Sequence, residues 1–201
     1  MSSSVLAAPT SPVPSSTEST RRQLSARQAA TVQRLTVAAV EELREHGYDG
    51  LTVRNVARAA GVAPATAYTY FTSREHLVTE VFWRRLEAMP ETRLDRRRST
   101  AARVGATMSD FALLVADEPE LAAACTVAML ATDPDVKLLR DRIGLEWRRR
   151  LATALGQDAA PEVLATLEFV ISGALLQAGM GHMTYRELPG HLTRAVELVV
   201  D

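Results

Sequence analysis

Apolar residues recur every three or four positions along most of the chain, which is the spacing of amphipathic helices. Residues 27–46 place one apolar face opposite a charged face, and Gly47 follows as a residue that ends helices at little cost. The same spacing predicts long helices over 99–117, 119–131, 135–155, 162–182 and 188–200. The sequence contains no alternating strand pattern and no glycine-rich phosphate loop. The pattern therefore predicts an all-α fold.

Two short helices are predicted after the first one. Thr52 is an N-cap candidate for the segment VRNVARAA, which Gly61 ends. Pro64 fits the first position of the next helix, because its missing N–H costs nothing there. We expect this third helix to end at about Phe71.

A fourth helix is predicted from about Ser73, where Thr72 and Glu75 match a capping box. The segment ETRLDRRRST then separates the N-terminal module from the rest of the chain.

Two helices of about seven residues joined by AGV form a helix-turn-helix, whose second helix enters the major groove of DNA. A groove-facing helix needs short side chains so that its backbone can approach the bases, and Ala65, Thr66 and Thr69 are short. Tyrosine hydroxyls beside them can donate hydrogen bonds to phosphate oxygens. Phe71 has no polar group, so we expect it to point into the core.

Residues 47–82, GYDGLTVRNVARAAGVAPATAYTYFTSREHLVTEVF, resemble the DNA-binding region of TetR/AcrR-family transcriptional regulators. The resemblance rests on a combination of residues: Gly47, Thr52, Ala57, Gly61, Val62, Tyr68, Tyr70, Phe71 and Leu77. It implies an all-helical homodimer of about nine helices per chain. In such proteins a three-helix DNA-binding domain precedes a larger helical domain that binds a small molecule and dimerises. We accordingly expect a tail at 1–24, a DNA-binding domain at 25–90 with its helix-turn-helix at about 51–70, and an effector-binding and dimerisation domain at 91–201.

The resemblance also implies which residues contact DNA. Thr66 and Tyr68 would contact bases or adjacent phosphates, and Tyr70 and Arg74 would hold the DNA backbone. The full predicted set is Thr52, Arg54, Ala63, Pro64, Ala65, Thr66, Tyr68, Thr69, Tyr70 and Arg74. Ala63 and Pro64 depart from the family, which often has a hydroxyl and a basic residue there. The alternative for the two tyrosines is a place in the core.

Composition and charge restrict the remaining possibilities. Residues 1–20 contain 13 Ser, Thr or Pro and predict a disordered tail. Arg21, Arg22 and Arg27 are either a solvated segment or an arm in the minor groove. Residues 1–98 contain 14 Arg and ten acidic residues, whereas the remainder is acidic. The single cysteine excludes a disulfide framework, and no apolar run suggests a membrane span. We expect a cytoplasmic, nucleoid-associated protein.

The C-terminal helices contain two further candidate sites. Their inward positions predict an effector pocket lined by Met108, Phe111, Cys125, Met129, Ile143, Trp147, Ile171 and Gln177, with Thr166 nearby. Because these residues include no buried charge, the effector should be small and hydrophobic; the alternative is that they fill a solid core. Helix 162–182 has two apolar stripes, and one of them predicts a dimer interface at Phe169, Gly173, Leu176 and Met180. Its alternative is a helix buried centrally within its own domain.

The function predicted from these features is a transcriptional repressor that a small hydrophobic effector releases from a palindromic double-stranded DNA operator. A ligand-responsive activator, a small helical enzyme that uses the C-terminal pocket, and a dimerisation or scaffold protein are the alternatives. No acid/base pair, nucleophile motif or metal-ligand spacing supports an enzyme, and we expect no cofactor and no metal.

Overall fold

Helices are the only regular secondary structure in residues 26–200, which are the residues that the computed structural model of the protein describes. Nine α-helices follow one another in this range: α1 (Ala26–Gly50), α2 (Val53–Ala59), α3 (Pro64–Tyr68), α4 (Arg74–Ala88), α5 (Thr100–Ala112), α6 (Pro119–Ala128), α7 (Pro134–Leu155), α8 (Pro161–Gly179) and α9 (Leu188–Val200). Two 3₁₀ helices, Leu113–Val115 and Gly156–Asp158, tighten the ends of α5 and α7. The predicted all-α fold of about nine helices is confirmed. The predicted tail at 1–24 lies outside the described residues.

Helices α1 to α3 and the start of α4 form a compact N-terminal head. Gly47 has a φ of 68° and interrupts the regular geometry of α1, as the sequence predicts. Thr52 caps α2 by accepting a hydrogen bond from the backbone N–H of Asn55. Val62 and Phe71 are both buried in the core, which ties the two ends of the short helix α3 to the rest of the head.

Two details of the predicted helix ends are wrong. Helix α3 ends at Tyr68 rather than near Phe71, and the hydroxyl of Thr69 donates to the carbonyl of Thr66 at 2.6 Å at this end. Such a local bond competes with continuation of the helix. Ser73, not Thr72, is the N-cap of α4, because its Oγ accepts the backbone N–H of His76.

The larger C-terminal body consists of α5 to α9, and one apolar core runs through the head and the body without a break. Aromatic rings join the two parts: Phe82 of α4 lies 5.8 Å from Phe111 of α5, which lies 4.3 Å from Trp147 of α7. Helices α6 and α8 approach closely at Gly179, where an added Cβ would lie 2.5 Å from the Oγ1 of Thr126.

Helices α4 and α7 run parallel and contact each other at three levels. The N-caps of the two helices meet, since the Oγ of Ser73 donates to the carboxylate of Asp133. Halfway along, the guanidinium of Arg142 lies 4.4 Å from the centre of the Trp83 ring. At the far end, Arg150 of α7 donates to backbone carbonyls at the end of α4. Helix α7 therefore holds the helix that leads out of the head along its whole length.

Candidate functional site

The first candidate surface is the outer face of α2 and α3, where most of the predicted DNA-binding residues are exposed. Exposed side chains are found at Thr52, Arg54, Ala63, Pro64, Ala65, Thr66, Tyr68 and Thr69. Half of Tyr68 is accessible to solvent, whereas Ala67 is fully buried and turns the opposite side of α3 to the core. The interpretation of Tyr68 as a core tyrosine is therefore wrong, and its hydroxyl can reach a ligand outside the head.

The short side chains on this face let another molecule approach the backbone of α3. Ala63 gives α3 no side-chain cap, and Pro64 occupies its first position. The hydroxyl of Thr52 accepts a hydrogen bond from Asn55 at 3.0 Å and keeps its own hydrogen for a donor bond outward. Arg54, one residue inside α2, is exposed beside it.

Tyr70 and Arg74 differ from the other predicted DNA contacts because their side chains already form contacts within the head. Tyr70 is half-buried and packs against the core. The guanidinium of Arg74 lies 4.3 Å from the centre of the Tyr48 ring, donates to the Tyr48 carbonyl at 2.9 Å, and pairs with Glu75 at 3.0 Å. Arg74 thus joins the kink of α1 to the start of α4, and a phosphate would share it with Glu75.

Tyr48 is a residue of this cluster that the sequence reasoning missed. Its hydroxyl donates to Glu75 at 2.9 Å. Burial, and then this hydrogen bond, raise the pKa of Tyr48 to about 12. Although burial raises the pKa of Glu75, hydrogen bonds from the backbone, Arg74 and Tyr48 together hold it below its ordinary value. The position of Tyr48 directly after the helix-ending Gly47 was the available signal.

The charge of the head is more even than the N-terminal half of the sequence suggests. Residues 26–90 contain eight Arg and seven acidic residues. Much of the basic excess therefore belongs to Arg21 and Arg22, outside the described residues, and to the segment 93–98 after α4. The affinity of the head for a polyanion must therefore depend more on the positions of its arginines than on its net charge.

The second candidate site is the interior of the body, where the predicted pocket residues come together. Met108, Phe111, Cys125, Ile143, Trp147 and Ile171 are buried, and Met129 is half-buried. Burial raises the pKa of Cys125 to about 12, so its thiol stays protonated. Gln177 was predicted wrongly: it is exposed, because α8 turns Ile171 and Ala178 inward and leaves Gln177 outside. Thr166 is exposed for the same reason.

A cleft of about 280 Å³ lies beside this cluster, between the segment after α4, α5 and α7. Its lining consists of Glu91, Thr92, Leu94, Thr107, Arg149, Arg150 and Thr153. Arg150 is buried, which contradicts the expectation of surroundings without buried charge. The indole Nε1 of Trp147, one turn of α7 away, is buried with no hydrogen-bond partner among the described residues. A buried donor without a partner costs about 1–3 kcal/mol, which an acceptor atom of a ligand or water would recover.

The third candidate surface is the outer face of α8, and the structure decides between its two apolar stripes. Phe169 is 79% accessible, and Gly173, Leu176 and Met180 are exposed on the same stripe. The other stripe faces the body through Leu167 and Ala178.

Helix α8 also bears on the expectation that no segment could span a membrane. Judged by length and composition alone, Pro161–Gly179 is long and apolar enough to do so, and the expectation is wrong in this respect. Core helices of soluble proteins meet these two criteria too.

Metal binding finds no support in the described residues, where no three His, Cys, Asp or Glu side chains are grouped to hold an ion.

Comparison with known proteins identifies the family. The model of the family described as "Bacterial regulatory proteins, tetR family" matches residues 35–81, which span most of α1, α2, α3 and the first half of α4. An uncharacterized HTH-type transcriptional regulator of Mycobacterium tuberculosis is 44% identical over 204 residues, which cover 100% of this chain and 94% of that protein. The chain belongs to the TetR family.

Further transcriptional regulators are similar to this chain in sequence or in fold. The HTH-type transcriptional repressor KstR of Rhodococcus jostii is 27% identical over 161 residues, covering 77% of this chain and 74% of KstR. A TetR transcriptional regulator from Rhodococcus sp. RHA1 has the same fold, with a TM-score of 0.69 at 23% identity over 87% of this chain and 97% of its own. The regulator FadR from Bacillus subtilis, solved in complex with stearoyl-CoA, matches with a TM-score of 0.64 at 20% identity, over 84% of this chain and 97% of FadR.

The protein is therefore a helix-turn-helix transcriptional regulator of the TetR family, a family whose members bind DNA and small-molecule effectors and form dimers. The alternative of a small helical enzyme finds no support among these relatives.

Proposed function

We propose that the protein represses transcription in the cytoplasm by binding a palindromic operator as a homodimer, and that a small effector with a hydrophobic part releases it. The observation that supports this most strongly is the exposed face of α3, which carries short side chains beside the half-exposed Tyr68. The similarity to the repressor KstR supports the direction of regulation. Residues 25–90 serve as the DNA-binding domain and 91–201 as the effector and dimerisation domain.

The chemistry of the α3 face predicts how DNA is recognised. The side chains of Ala65, Thr66 and Thr69 suit contacts with thymine methyl groups better than the bidentate recognition of guanine that arginine provides. The hydroxyl of Tyr68 and the hydroxyl of Thr52 donate to phosphates, which position the head on the duplex. Thr66 stands next to Ala67, which is fully buried, so its place on the surface is fixed by the core of the head.

Tyr68→Phe tests this interface, because it removes only the hydroxyl. The probe is a duplex that the wild-type protein selects from a random pool, and affinity is measured in gel shifts over a range of salt concentrations. We expect a loss of about 1.5–3 kcal/mol in binding free energy, the scale of one hydrogen bond to a charged group such as a phosphate. Tyr185→Phe is the matched control in the body, whose hydroxyl bonds to Thr126 and Ala122 instead. If the wild type selects no duplex, or if both variants bind as it does, DNA binding through this face is refuted.

The effector site proposed here is the cleft between α5 and α7 together with the apolar cluster behind it. A volume of about 280 Å³ is slightly below the usual range of small-molecule pockets, which begins at about 300 Å³, so a large effector must open the cleft further. The unpartnered Nε1 of Trp147 supplies a donor for an acceptor atom of the effector. Arg149 at the cleft suits an effector with an anionic or strongly polar end that takes the place of its partner Glu91, whereas Arg150 already donates to four protein oxygens.

Stearoyl-CoA is a suitable first probe, since FadR of similar fold was solved with it. Binding is followed through the fluorescence of Trp147 in a Trp83→Phe background, because the chain has two tryptophans. Thr153→Phe, at the exposed wall of the cleft, should block the response of Trp147 without adding a second tryptophan, and it should leave DNA binding intact. Thr153 is chosen over a buried position such as Ala128, where a larger side chain would strain the core. A normal fluorescence response in Thr153→Phe would place the site elsewhere.

The dimer interface proposed here is the exposed stripe of α8, Phe169, Gly173, Leu176 and Met180, beside α9. Leu198 of α9 is 88% accessible and extends the apolar surface. Contiguous exposed apolar surface of this kind marks a protein interface. The absence of a side chain at Gly173 lets the partner helix approach closely, and two copies of α8 and α9 form a four-helix interface.

A further inference from the structure

Two helix N-caps, one in the head and one in the body, are joined directly to each other. Ser73 caps α4 by accepting the backbone N–H of His76 at 3.0 Å, and the same hydroxyl donates to Asp133 Oδ2 at 2.6 Å. Asp133 is itself the N-cap of α7, because its other oxygen, Oδ1, accepts the backbone N–H of Asp135 at 2.8 Å. The carboxylate of Asp133 therefore lies at the positive ends of two helix dipoles. We call Ser73 and Asp133 the paired caps.

A second set of contacts surrounds the paired caps. The hydroxyl of Thr72 lies 3.0 Å from Asp135 Oδ2 and 3.4 Å from Asp133 Oδ2. His76 Nδ1 lies 3.7 Å from Asp135 Oδ2, and its ring meets that of Phe71 edge to face at 5.4 Å. Every head residue in this set lies in the segment 71–76, shortly after α3, the helix that is proposed to enter the major groove.

The paired caps are placed where they control the orientation of the head. Helix α4 leads from the head into the body, and its C-terminal end is held by Arg150. If its N-terminal end were free, the head could swing about that point as α4 moved away from α7. The hydrogen bond between Ser73 and Asp133 holds the N-terminal end of α4 against α7 and fixes α3 relative to the body. Such a bond to a charged carboxylate is stronger than one between neutral groups.

We propose that Asp133 and Ser73 are positioning residues for DNA binding: their bond holds the head in the orientation that contacts the operator. The inference rests on the DNA-binding function proposed above and assigns its regulation to the turn between α6 and α7. A movement of α7 at Asp133 must either take the head with it or break the bond. The α6–α7 turn is thus a further connection between body and head, besides the covalent one through α4 and the packing of α1 against α6.

Asp133→Ser separates the interdomain bond from the local cap. Serine caps helices as well as aspartate does, but its side chain is shorter and cannot cap α7 and reach Ser73 together. Thr72→Val is the second variant, since it removes a hydroxyl on an exposed residue and changes no cap. Ser99→Ala is the matched control, because Ser99 caps α5 through the N–H of Ala102 and contacts no residue of the head in the described structure.

Two measurements are made on the full-length chain. The first is affinity for the duplex selected by the wild type. The second is the distance between spin labels at Ala59→Cys in the head and Gln157→Cys in the body, in a Cys125→Ala background diluted with unlabelled chain. Ala59 and Gln157 are both exposed, so the labels do not disturb the core.

The expected result is a loss of affinity of about tenfold in Asp133→Ser, because only a fraction of the heads then has the competent orientation. Thr72→Val should lose severalfold, and both variants should broaden the distance distribution. Ser99→Ala should leave the affinity and the distribution as in the wild type. Unchanged distances in Asp133→Ser overturn the inference, whether or not the wild type selects a duplex. Failure of the wild type to select a duplex would by itself refute only the proposed DNA binding. Broadened distances with unchanged or tighter DNA binding overturn it as well.

Discussion

Arg150 is the buried charge that fixes the end of α4, and its replacement gives the sharpest test of the packing between head and body. Only 4% of its side chain is accessible. It donates to four oxygens: the carbonyls of Leu86 (3.4 Å), Met89 (2.9 Å) and Pro90 (3.0 Å), and Glu146 Oε1 (2.7 Å). The carbonyls belong to the last turn of α4 and the residues after it, where most carbonyls lack an intrahelical donor; Leu86 also accepts the backbone N–H of Met89.

Arg150→Met removes the guanidinium and keeps most of the apolar stem. It leaves the carbonyls of Met89 and Pro90 without the donor that Arg150 supplies, whereas Leu86 keeps the N–H of Met89; an unpaired group costs about 1–3 kcal/mol where it is buried. It also leaves Glu146 with one arginine in place of two. Removal of one partner from a buried ion pair costs about 3–5 kcal/mol. Because Glu146 keeps Arg149 and is 19% accessible, we expect the lower end, about 3 kcal/mol of unfolding free energy.

Urea denaturation at a fixed protein concentration measures this loss, since dimerisation would otherwise change the apparent stability. Arg149→Met is the matched control: the neighbouring arginine also pairs with Glu146, but its side chain is 49% accessible. An exposed pair contributes about 0–1 kcal/mol, so the control should change little. The double variant Arg150→Met/Glu146→Leu should recover part of the loss, because it removes the unpaired charge too. Equal losses in the two single variants would refute the role given to Arg150.

Three further predictions follow from the same structure. Hydrogen bonds from Arg149 and Arg150 outweigh the effect of burial and hold the pKa of Glu146 at about 2, below its ordinary 4.5. Its contribution to stability is therefore complete above pH 4.5 and falls between pH 4.5 and 2, and Glu146→Gln should flatten acid denaturation in that window. Phe169→Asp should give a monomer in light scattering at micromolar concentration, whereas Leu145→Asp, on the exposed face of α7, should remain a dimer. Arg74→Ala should weaken binding to all duplexes and lower the slope of log affinity against log salt by about 1; an unchanged slope would show that Arg74 acts only within the head.

Features that depend on a few neighbouring residues could be predicted from the sequence. Helix periodicity, the left-handed Gly47, the cap at Thr52 and the inward position of Phe71 all follow from local rules, and the structure confirms them. Both faces of helix 162–182 were also visible in the sequence. Only the packing of the body decided that the Phe169 stripe is the exposed one.

Features that depend on distant backbone groups could not be predicted. The segment WRRRL around Arg150 looks like a solvated helix face, because nothing in it reveals the carbonyls at the end of α4 about 60 residues earlier. Arg74 likewise has its partners at Tyr48 and Glu75, which appear in the sequence only as a residue after a kink and a helix-start acid. Charged residues with long side chains are thus where sequence reasoning fails in this protein.

If the effector binds at the proposed site, the position of Trp147 gives it a direct route to the head. Trp147 and Arg150 are three residues apart on α7, and side chains at that spacing share one face of a helix. An effector that accepts the free N–H of Trp147 therefore lies one turn from the guanidinium that holds the end of α4. To act as a switch, it must favour one arrangement of α4 and α7 over another. In the structure, Arg150 holds one end of α4 against α7 and the paired caps hold the other, so a ligand that displaces α7 at either end either moves α4 and the head with it or breaks one of these contacts.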